Sequence, residues 1–303
     1  MRIAACQLEC VLLDRDRAFE RLAFLAAGAA AEGARVAAFP ETAVPGYPTW
    51  LARTGGAAFD DPDQKALQAR YLDQALELPG PGLEFLRGVA HEHGLSLVVG
   101  VAERLRGTLF ATALWVHPDG RWQAHRKLVP TYEERLAWAP GDGAGLNVHL
   151  IDGWRCSALN CWENWMPLAR AALYQEGAEV HFSLWPGSPE LTRDVSRFTA
   201  REGRMYVCAA SGVAKVDDLP ADLPRREALA ASAPDGLLHT GGSRIVAPTG
   251  EELAALDEPR GGVLTADLDR ALLYAERHNF DPAGHYSRPE VLELTVERRR
   301  MLE

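Results

Sequence analysis

The chain has 303 residues, 47% of them apolar and 24% charged, the balance of an ordinary globular protein that can bury a core without disulfides or structural metals. Its formal net charge of −10 argues against nucleic acid or anionic lipid as a partner, because both select a basic face. Such an acidic surface aids solubility and carries no further functional message.

From the N-terminus, Arg2 to Leu8 reads as a short apolar strand. No basic region followed by an apolar one precedes it, so no standard secretory signal is expected. Asp14 to Gly33 is predicted to be helical: Ala18, Leu22, Leu25 and Ala29 share one face, Arg15, Glu20 and Arg21 lie off it, and Gly33 supplies the stop. The longest apolar run, Leu22 to Ala31, is about half of what a bilayer crossing needs. No membrane partner is expected.

A strand from Val36 to Phe39 breaks at Pro40 into the loop PETAVPGYP, punctuated by Pro and Gly. Helices follow over Asp63 to Leu78 and Gly82 to His93, then an apolar strand from Leu95 to Glu103. Two hairpins are predicted next. Thr108 to His117 and Arg121 to Lys127 flank Pro118-Asp119-Gly120, and Val148 to Ile151 turns at Asp152-Gly153 into Arg155 to Leu159. A helix begins near Pro167, and strand Val180 to Leu184, helix Leu191 to Arg204 and strand Tyr206 to Gly212 succeed it. Asp217 to Asp235, rich in Pro, Asp and Ala, reads as a mobile excursion, and strands near Ser243 to Ala247 and Val263 to Asp267 close the body. Strands alternate with helices early and hairpins enter in the middle, which predicts mixed sheets covered by helices in a layered α/β arrangement. There is no internal repeat and no dividing linker.

Five cysteines at irregular spacing, Cys6, Cys10, Cys156, Cys161 and Cys208, do not make a disulfide framework. A reducing cytoplasm is the expected setting. Of the 32 basic residues only Lys65, Lys127 and Lys215 are lysines. A chain that uses Arg almost everywhere keeps Lys where a compact ammonium serves better than a guanidinium.

Three polar residues stand at strand ends, where a rigid element can aim them into a cleft: Glu41, Lys127 and Cys161. A cysteine at a strand-to-helix elbow lies near a helix N-terminus, which favours thiolate, and backbone N–H groups there can cradle an oxyanion. Taken singly, each has an ordinary explanation as a buried thiol or a solvated charge, and spacing alone does not bring them together. Other chemistries lack their residues. Gly241-Gly242-Ser243-Arg244-Ile245 misses the last glycine of a serine elbow. No phosphate-binding loop occurs, and Gly141 to Gly145 follows no strand that leads into a helix. Cys156 and Cys161 have no matching His pair for zinc. His91 and His93 point to different faces of a predicted helix, and His125 and His285 receive no role.

The segments FPETAVPGYP, HRKLVPTYEERLAWAPGDG and LNCWENWMPLAR resemble, in order, the three signature segments of the nitrilase superfamily of carbon–nitrogen hydrolases. GHYSRPEVLEL is similar to a segment near the end of the nitrilase branch, so the likeness spans about residues 2 to 295. The resemblance implies a catalytic set of Glu41, Lys127 and Cys161 with Glu134 as a supporting glutamate, adjacent Glu133 being the weaker match. It also implies a four-layer α-β-β-α sandwich that pairs through a helical face into a homodimer or higher homo-oligomer. The whole chain, 1 to 303, is then one carbon–nitrogen hydrolase domain with a short C-terminal extension from about residue 288. Nitrilases of this branch often continue further, which puts a large spiral assembly in doubt.

The implied reaction converts an organic nitrile and water to a carboxylic acid and ammonia through a Cys161 thioimidate and thioester, with no cofactor and no metal (an EC 3.5.5.1-like activity). Trp162 directly after the nucleophile favours nitrile over amide. An amidase of the same superfamily is the alternative, and a non-catalytic binding or scaffold member a distant one. Aromatic residues crowd these segments, and Trp162, Tyr47, Tyr132 and Trp185 are the expected substrate contacts, with Trp50, Trp138 and Trp165 as further candidates for an apolar pocket.

Overall fold

The computed structural model describes residues 1–302. In chain order its first half comprises β1 (Arg2–Glu9), α1 (Arg15–Ala31), β2 (Val36–Ala38), α2 (Trp50–Arg53), α3 (Pro62–Gln74), α4 (Pro81–His93), β3 (Ser96–Leu105), β4 (Thr108–Val116) and β5 (Trp122–Arg126). The second half comprises β6 (His149–Ile151), β7 (Trp154–Asn160), α5 (Pro167–Gln175), β8 (Val180–Trp185), α6 (Pro189–Gly203), β9 (Tyr206–Lys215) and α7 (Arg226–Ala231). It closes with β10 (Leu237–Thr240), β11 (Ser243–Val246), β12 (Glu252–Leu256), β13 (Gly262–Asp267) and α8 (Arg270–Asn279). No helix among the described residues is long and apolar enough to cross a membrane.

Local chemistry accounts for most boundaries. Asp14 caps α1 by accepting from the Arg17 N–H, and Asp61 caps α3 in the same way through Gln64. Pro at the first turn opens α3, α4, α5 and α6, where its missing N–H costs nothing. Asp152 and Gly153 both take positive φ at the β6–β7 turn, the requirement of a tight two-residue hairpin.

The strands form two sheets. In the first, β1, β2 and β3 run parallel, β4 and β5 extend them antiparallel, and β13 flanks β1. In the second, β7, β8 and β9 run parallel, with β6 on one edge and β11 and β12 on the other. The two are joined where β1 leaves β13 and pairs with β9 at Leu8–Gly212 and Glu9–Val213. Alternation along each strand sorts the layers. Ile3, Ala5, Val36, Ala38, Val98 and Trp115 face Cys156, Ala158, Phe182, Leu184, Cys208 and Ile245 of the other sheet. Ala4, Cys6, Leu8, Leu97 and Val99 instead face Leu22 and Ala26 of α1 and Leu83 and Leu86 of α4. On the far side Leu159, Ala169, Leu173 and Met205 pack α5 against the second sheet. The result is the expected four-layer α-β-β-α sandwich.

One expectation fails. Residues 217–235 are not a loose excursion but a packed arm: Leu219, Leu223, Leu229 and Ala233 are buried against Trp50, Leu51 and Tyr71. Polar ties reinforce it, from Arg225 to Asp61 and to the Thr54 carbonyl, and from Arg70 to Asp222. Four leucine and alanine positions suffice to anchor a segment whose composition otherwise reads as loop. The elements α2, α8, β10 and β12 also lie outside the predicted set.

Two glycines set distances that matter below. A Cβ on Gly100 of β3 would sit 2.2 Å from the Pro40 carbonyl oxygen and 2.5 Å from the Glu41 Cα. A Cβ on Gly141 would meet the carbonyl oxygens of Arg126 at 2.2 Å and Lys127 at 2.7 Å. Backbone presses on backbone at both places, and neither can yield as a flexible side chain would. Gly100→Ala is therefore expected to cost about 1–3 kcal/mol, the usual penalty of overpacking, measured as a lower urea midpoint at unchanged slope. A midpoint equal to that of the parent protein would refute this close approach.

Candidate active site

Strand ends from both sheets bring the polar residues together. β2 ends two residues before Pro40 and delivers Glu41, β5 is followed at once by Lys127, and β7 by Cys161. The carboxyl ends of parallel strands are where α/β sheets place ligands, since a rigid element aims side chains there without consuming them in the ladder.

Lys127 Nζ donates to Glu41 Oε1 at 2.8 Å and to Glu134 Oε2 at 2.7 Å, and all three side chains are almost wholly buried. Cys161 Sγ and one carboxylate oxygen from each of Glu41 and Glu134 lie within 4.8 Å of one another. Two carboxylates and a sulfur at this spacing are also a cation donor set, but the Lys127 ammonium already bridges the carboxylates as their counter-charge.

The two glutamates are not equivalent. Glu134 belongs to a 3-10 turn, Tyr132–Leu136, entered through a capping box in which the Thr131 N–H donates to its Oε2 at 2.6 Å. Tyr47 Oη donates to its Oε1 at 2.7 Å. Both oxygens are engaged, so Glu134 braces Lys127 and Tyr47. Glu41 Oε1 is taken by Lys127, while its buried Oε2 has no hydrogen-bond partner. That oxygen is left free to exchange a proton.

Burial above all, joined by the charges of Glu134 and Glu163, pushes the Glu41 carboxyl up to about 8 against the downward pull of Lys127. Burial alone would lower Lys127, but Glu41, Cys161 and Glu134 outweigh it and hold the ammonium above its ordinary range. Burial, and then the Glu41 charge, raise the Cys161 thiol well above its ordinary value, and Lys127 and the Trp162 N–H recover only part. The expectation of a thiolate favoured by a helix N-terminus is therefore not met. The element after Cys161 is the 3-10 turn Cys161–Trp165, and α5 starts only at Pro167. Burial thus favours the neutral thiol at Cys161, beside the Glu41 carboxyl.

Backbone strain marks all three segments. Thr42, Tyr132 and Cys161 take φ of 43°, 45° and 47°, at about 1–2 kcal/mol each for residues with a Cβ. Such costs collect at sites where the surroundings over-determine the conformation. At Cys161 the restraint is visible: Asn164 Nδ2 donates to the Cys161 carbonyl at 2.7 Å, and Asn164 Oδ1 accepts from Ser183 Oγ at 2.8 Å and faces His181 Nε2 at 2.8 Å.

Cys161 opens into a cavity of about 750 Å³ lined by all four expected aromatic contacts, Tyr47, Tyr132, Trp162 and Trp185. They differ in what they offer. Tyr47 is committed to Glu134, and Trp185 is buried with its carbonyl accepting the Glu41 N–H at 3.3 Å. Tyr132 and Trp162 are 80% and 43% exposed and present free ring faces. Trp50 and Trp138 lie in the core beneath, and Trp165 does not line the cavity. Sequence reasoning misses the opposite wall, Gly187 to Thr192 and Ser232 to Thr240 with Arg53, because it reads the second stretch as neighbouring a mobile segment. It also assigns nothing to Glu163, Asn164 and His125. The Asn160-to-Glu163 spacing is itself a capping pattern legible in sequence.

The family model for carbon-nitrogen hydrolases matches residues 2–278. The aliphatic nitrilase of Sinorhizobium fredii (strain HH103) is 37% identical over 302 residues, covering 98% of this chain and 95% of that protein. A bifunctional nitrilase/nitrile hydratase of Lupinus angustifolius is 33% identical, covering 98% of this chain and 86% of that protein. Among solved structures, the Nesterenkonia AN1 amidase from the nitrilase superfamily superposes with a TM-score of 0.66 at 23% identity, covering 92% of this chain and 96% of that one.

With Glu41 pushed up to about 8, its unpartnered oxygen is protonated below that pH and ready to accept above it. Alkylation of Cys161 by iodoacetamide, followed by mass spectrometry, is expected to accelerate as pH rises through that value. Glu41→Gln should abolish the limb. A profile flat through this region in the parent protein would remove Glu41 as the base.

Proposed function

Because the chain belongs to the carbon–nitrogen hydrolase family, we propose that it is a nitrilase, hydrolysing an organic nitrile to the carboxylic acid and ammonia. The observation that carries this reading is the unpartnered Glu41 oxygen beside the Cys161 sulfur and a fixed ammonium. Identity of 37% to an aliphatic nitrilase over almost the whole of both chains supports the nitrile over the amide.

In the proposed reaction Cys161 Sγ attacks the nitrile carbon while Glu41 Oε2 takes the thiol proton. The C≡N bond gives up one π pair to nitrogen, which receives that proton from Glu41, leaving a thioimidate. Lys127 steadies the negative charge that builds on nitrogen, in a site dry enough for one ammonium to count. A first water, deprotonated by Glu41, adds to the same carbon. The C=N π pair moves to nitrogen, which takes that proton from Glu41. Glu41 then carries the proton of the new hydroxyl to the amine, the C=O bond forms as the C–N bond breaks, ammonia leaves, and a thioester remains. A second water repeats the addition and breaks the C–S bond, releasing the acid and restoring the thiol. Glu134 holds Lys127 and Tyr47 in place throughout, and Tyr132, Trp162, Tyr47 and Trp185 form the substrate wall.

The same reading treats residues 1–303 as one domain acting in the cytoplasm, in keeping with its free cysteines. It also takes a second copy as partner across the α5–α6 face, where Trp165, Leu168 and Phe198 are exposed. A second outcome has support in relatives named bifunctional nitrilase/nitrile hydratase: collapse of the first tetrahedral species by loss of the thiol releases an amide instead.

A panel of aliphatic, arylaliphatic and aromatic nitriles, each paired with its amide, separates these outcomes by ammonia and product assay. Ammonia is expected from at least one nitrile at a kcat/KM well above that of the matched amide. Cys161→Ala should reduce turnover by about 10³-fold or more, as loss of a covalent nucleophile does. Faster turnover of the amides would make the protein an amidase, and parent-like turnover by Cys161→Ala would falsify the mechanism.

A further inference from the structure

Glu163 is a buried carboxylate beside the site that the proposed chemistry leaves unused. Its Oε1 accepts the Leu128 N–H at 2.6 Å and its Oε2 accepts the Asn160 N–H at 3.0 Å. Leu128 follows Lys127 and Asn160 precedes Cys161. One side chain therefore ties the backbone that carries the ammonium to the backbone that carries the nucleophile, across two different sheets. His125 Nε2 faces both oxygens, at 3.1 and 3.2 Å, while its Nδ1 is buried with no partner. A bare lone pair is cheaper to bury than an unanswered N–H, so the ring carries its proton on Nε2 and donates it to Glu163. Burial would keep Glu163 neutral, but His125 and the amides of Leu128 and Asn160 prevail and hold its carboxyl below the ordinary range.

We propose that Glu163, oriented by His125, is a positioning residue for the Cys161 chemistry: it fixes the lysine-bearing and cysteine-bearing segments in register and keeps a second negative charge under the site. Geometry carries the first part, because no change at Glu163 can leave both N–H donors satisfied as one carboxylate does. The charge carries the second. Glu41 is surrounded by Lys127, Glu134, Cys161, Tyr47 and Tyr71 in addition to Glu163, and Glu163 itself by His125 and, further off, His181. Because the Glu163 charge is one of those that hold the Glu41 carboxyl up, removing it makes Glu41 easier to ionise, besides loosening the two backbone ties.

The reading of the protein as a nitrilase enters only through one of two readouts. Glu163→Gln is expected to lower kcat/KM for nitrile roughly 10- to 100-fold, mainly in kcat, as small misplacements of reacting groups do. The acid limb of Cys161 alkylation should move to lower pH. Glu163→Asp keeps the charge and shortens the reach, so its limb stays at the parent pH while kcat falls. His125→Gln, which retains a donor near the Nε2 position, should keep more activity than His125→Leu. An unmoved limb in Glu163→Gln, or parent-like kcat in His125→Leu, would overturn the proposal. If Glu163→Gln does not fold, Glu163→Asp and the two His125 variants decide it by the same measurements. Iodoacetamide needs no nitrile, so a parent protein that hydrolyses no nitrile but shows these limbs sinks the nitrilase reading alone.

Discussion

One ammonium held between two buried carboxylates is the interaction on which the site depends. Without Lys127, Glu41 and Glu134 would place two carboxylates and a polarisable sulfur within 4.8 Å of one another at the buried floor of the cavity, at a cost of several kcal/mol per ion. With it, the two acids become different. Glu134 spends both oxygens on Lys127, Thr131 and Tyr47, and Glu41 spends one. That asymmetry leaves one carboxylate with a free oxygen, as the proposed base needs, and makes a brace out of the other. A guanidinium would not do the same, since its planar fork claims both oxygens of a partner.

The sandwich exists around this point in a specific sense. Glu41 comes from the first sheet, Cys161 from the second, and Lys127 from the end of the hairpin that extends the first. Their separation is set by backbone-on-backbone contacts at Gly100 and Gly141 and by side-chain ties at Asn164 and Glu163. Positive φ at Thr42, Tyr132 and Cys161 shows that these restraints outweigh local preference. Long-range packing decides the conformation of the residues nearest the chemistry, and propensity decides the rest.

That division explains what was legible. Apolar periodicity of two and of about 3.6 residues located most strands and long helices, because each buries one face. Three motif segments pointed to Glu41, Lys127, Cys161 and Glu134, and the structure brings these together. The roles of the two glutamates were not legible, since they follow from which oxygens are already occupied. Tyr47 reaches Glu134 from a distant loop, which no spacing encodes, whereas the Thr131-to-Glu134 spacing is a capping pattern that the motif reading passed over. The arm at 217–235 was misread because its anchors are sparse. Short β12 lies at an edge and α8 buries little beyond Leu273, so neither has a strong pattern. Glu163 was half legible: its cap on the Cys161 turn is local, but its bond to Leu128 appears only when the sheets stack.

The scarcity of lysine has a practical side. Lys127 has a side-chain exposure of 0% and is engaged on two sides, whereas Lys65 is 64% and Lys215 34% exposed. Amine-directed coupling to a resin or dye thus meets Lys65 first, on the outer face of α3, along with the chain's own terminal amine. Attachment through so few handles fixes how the molecule sits on a support, and it spares the buried amine of the site.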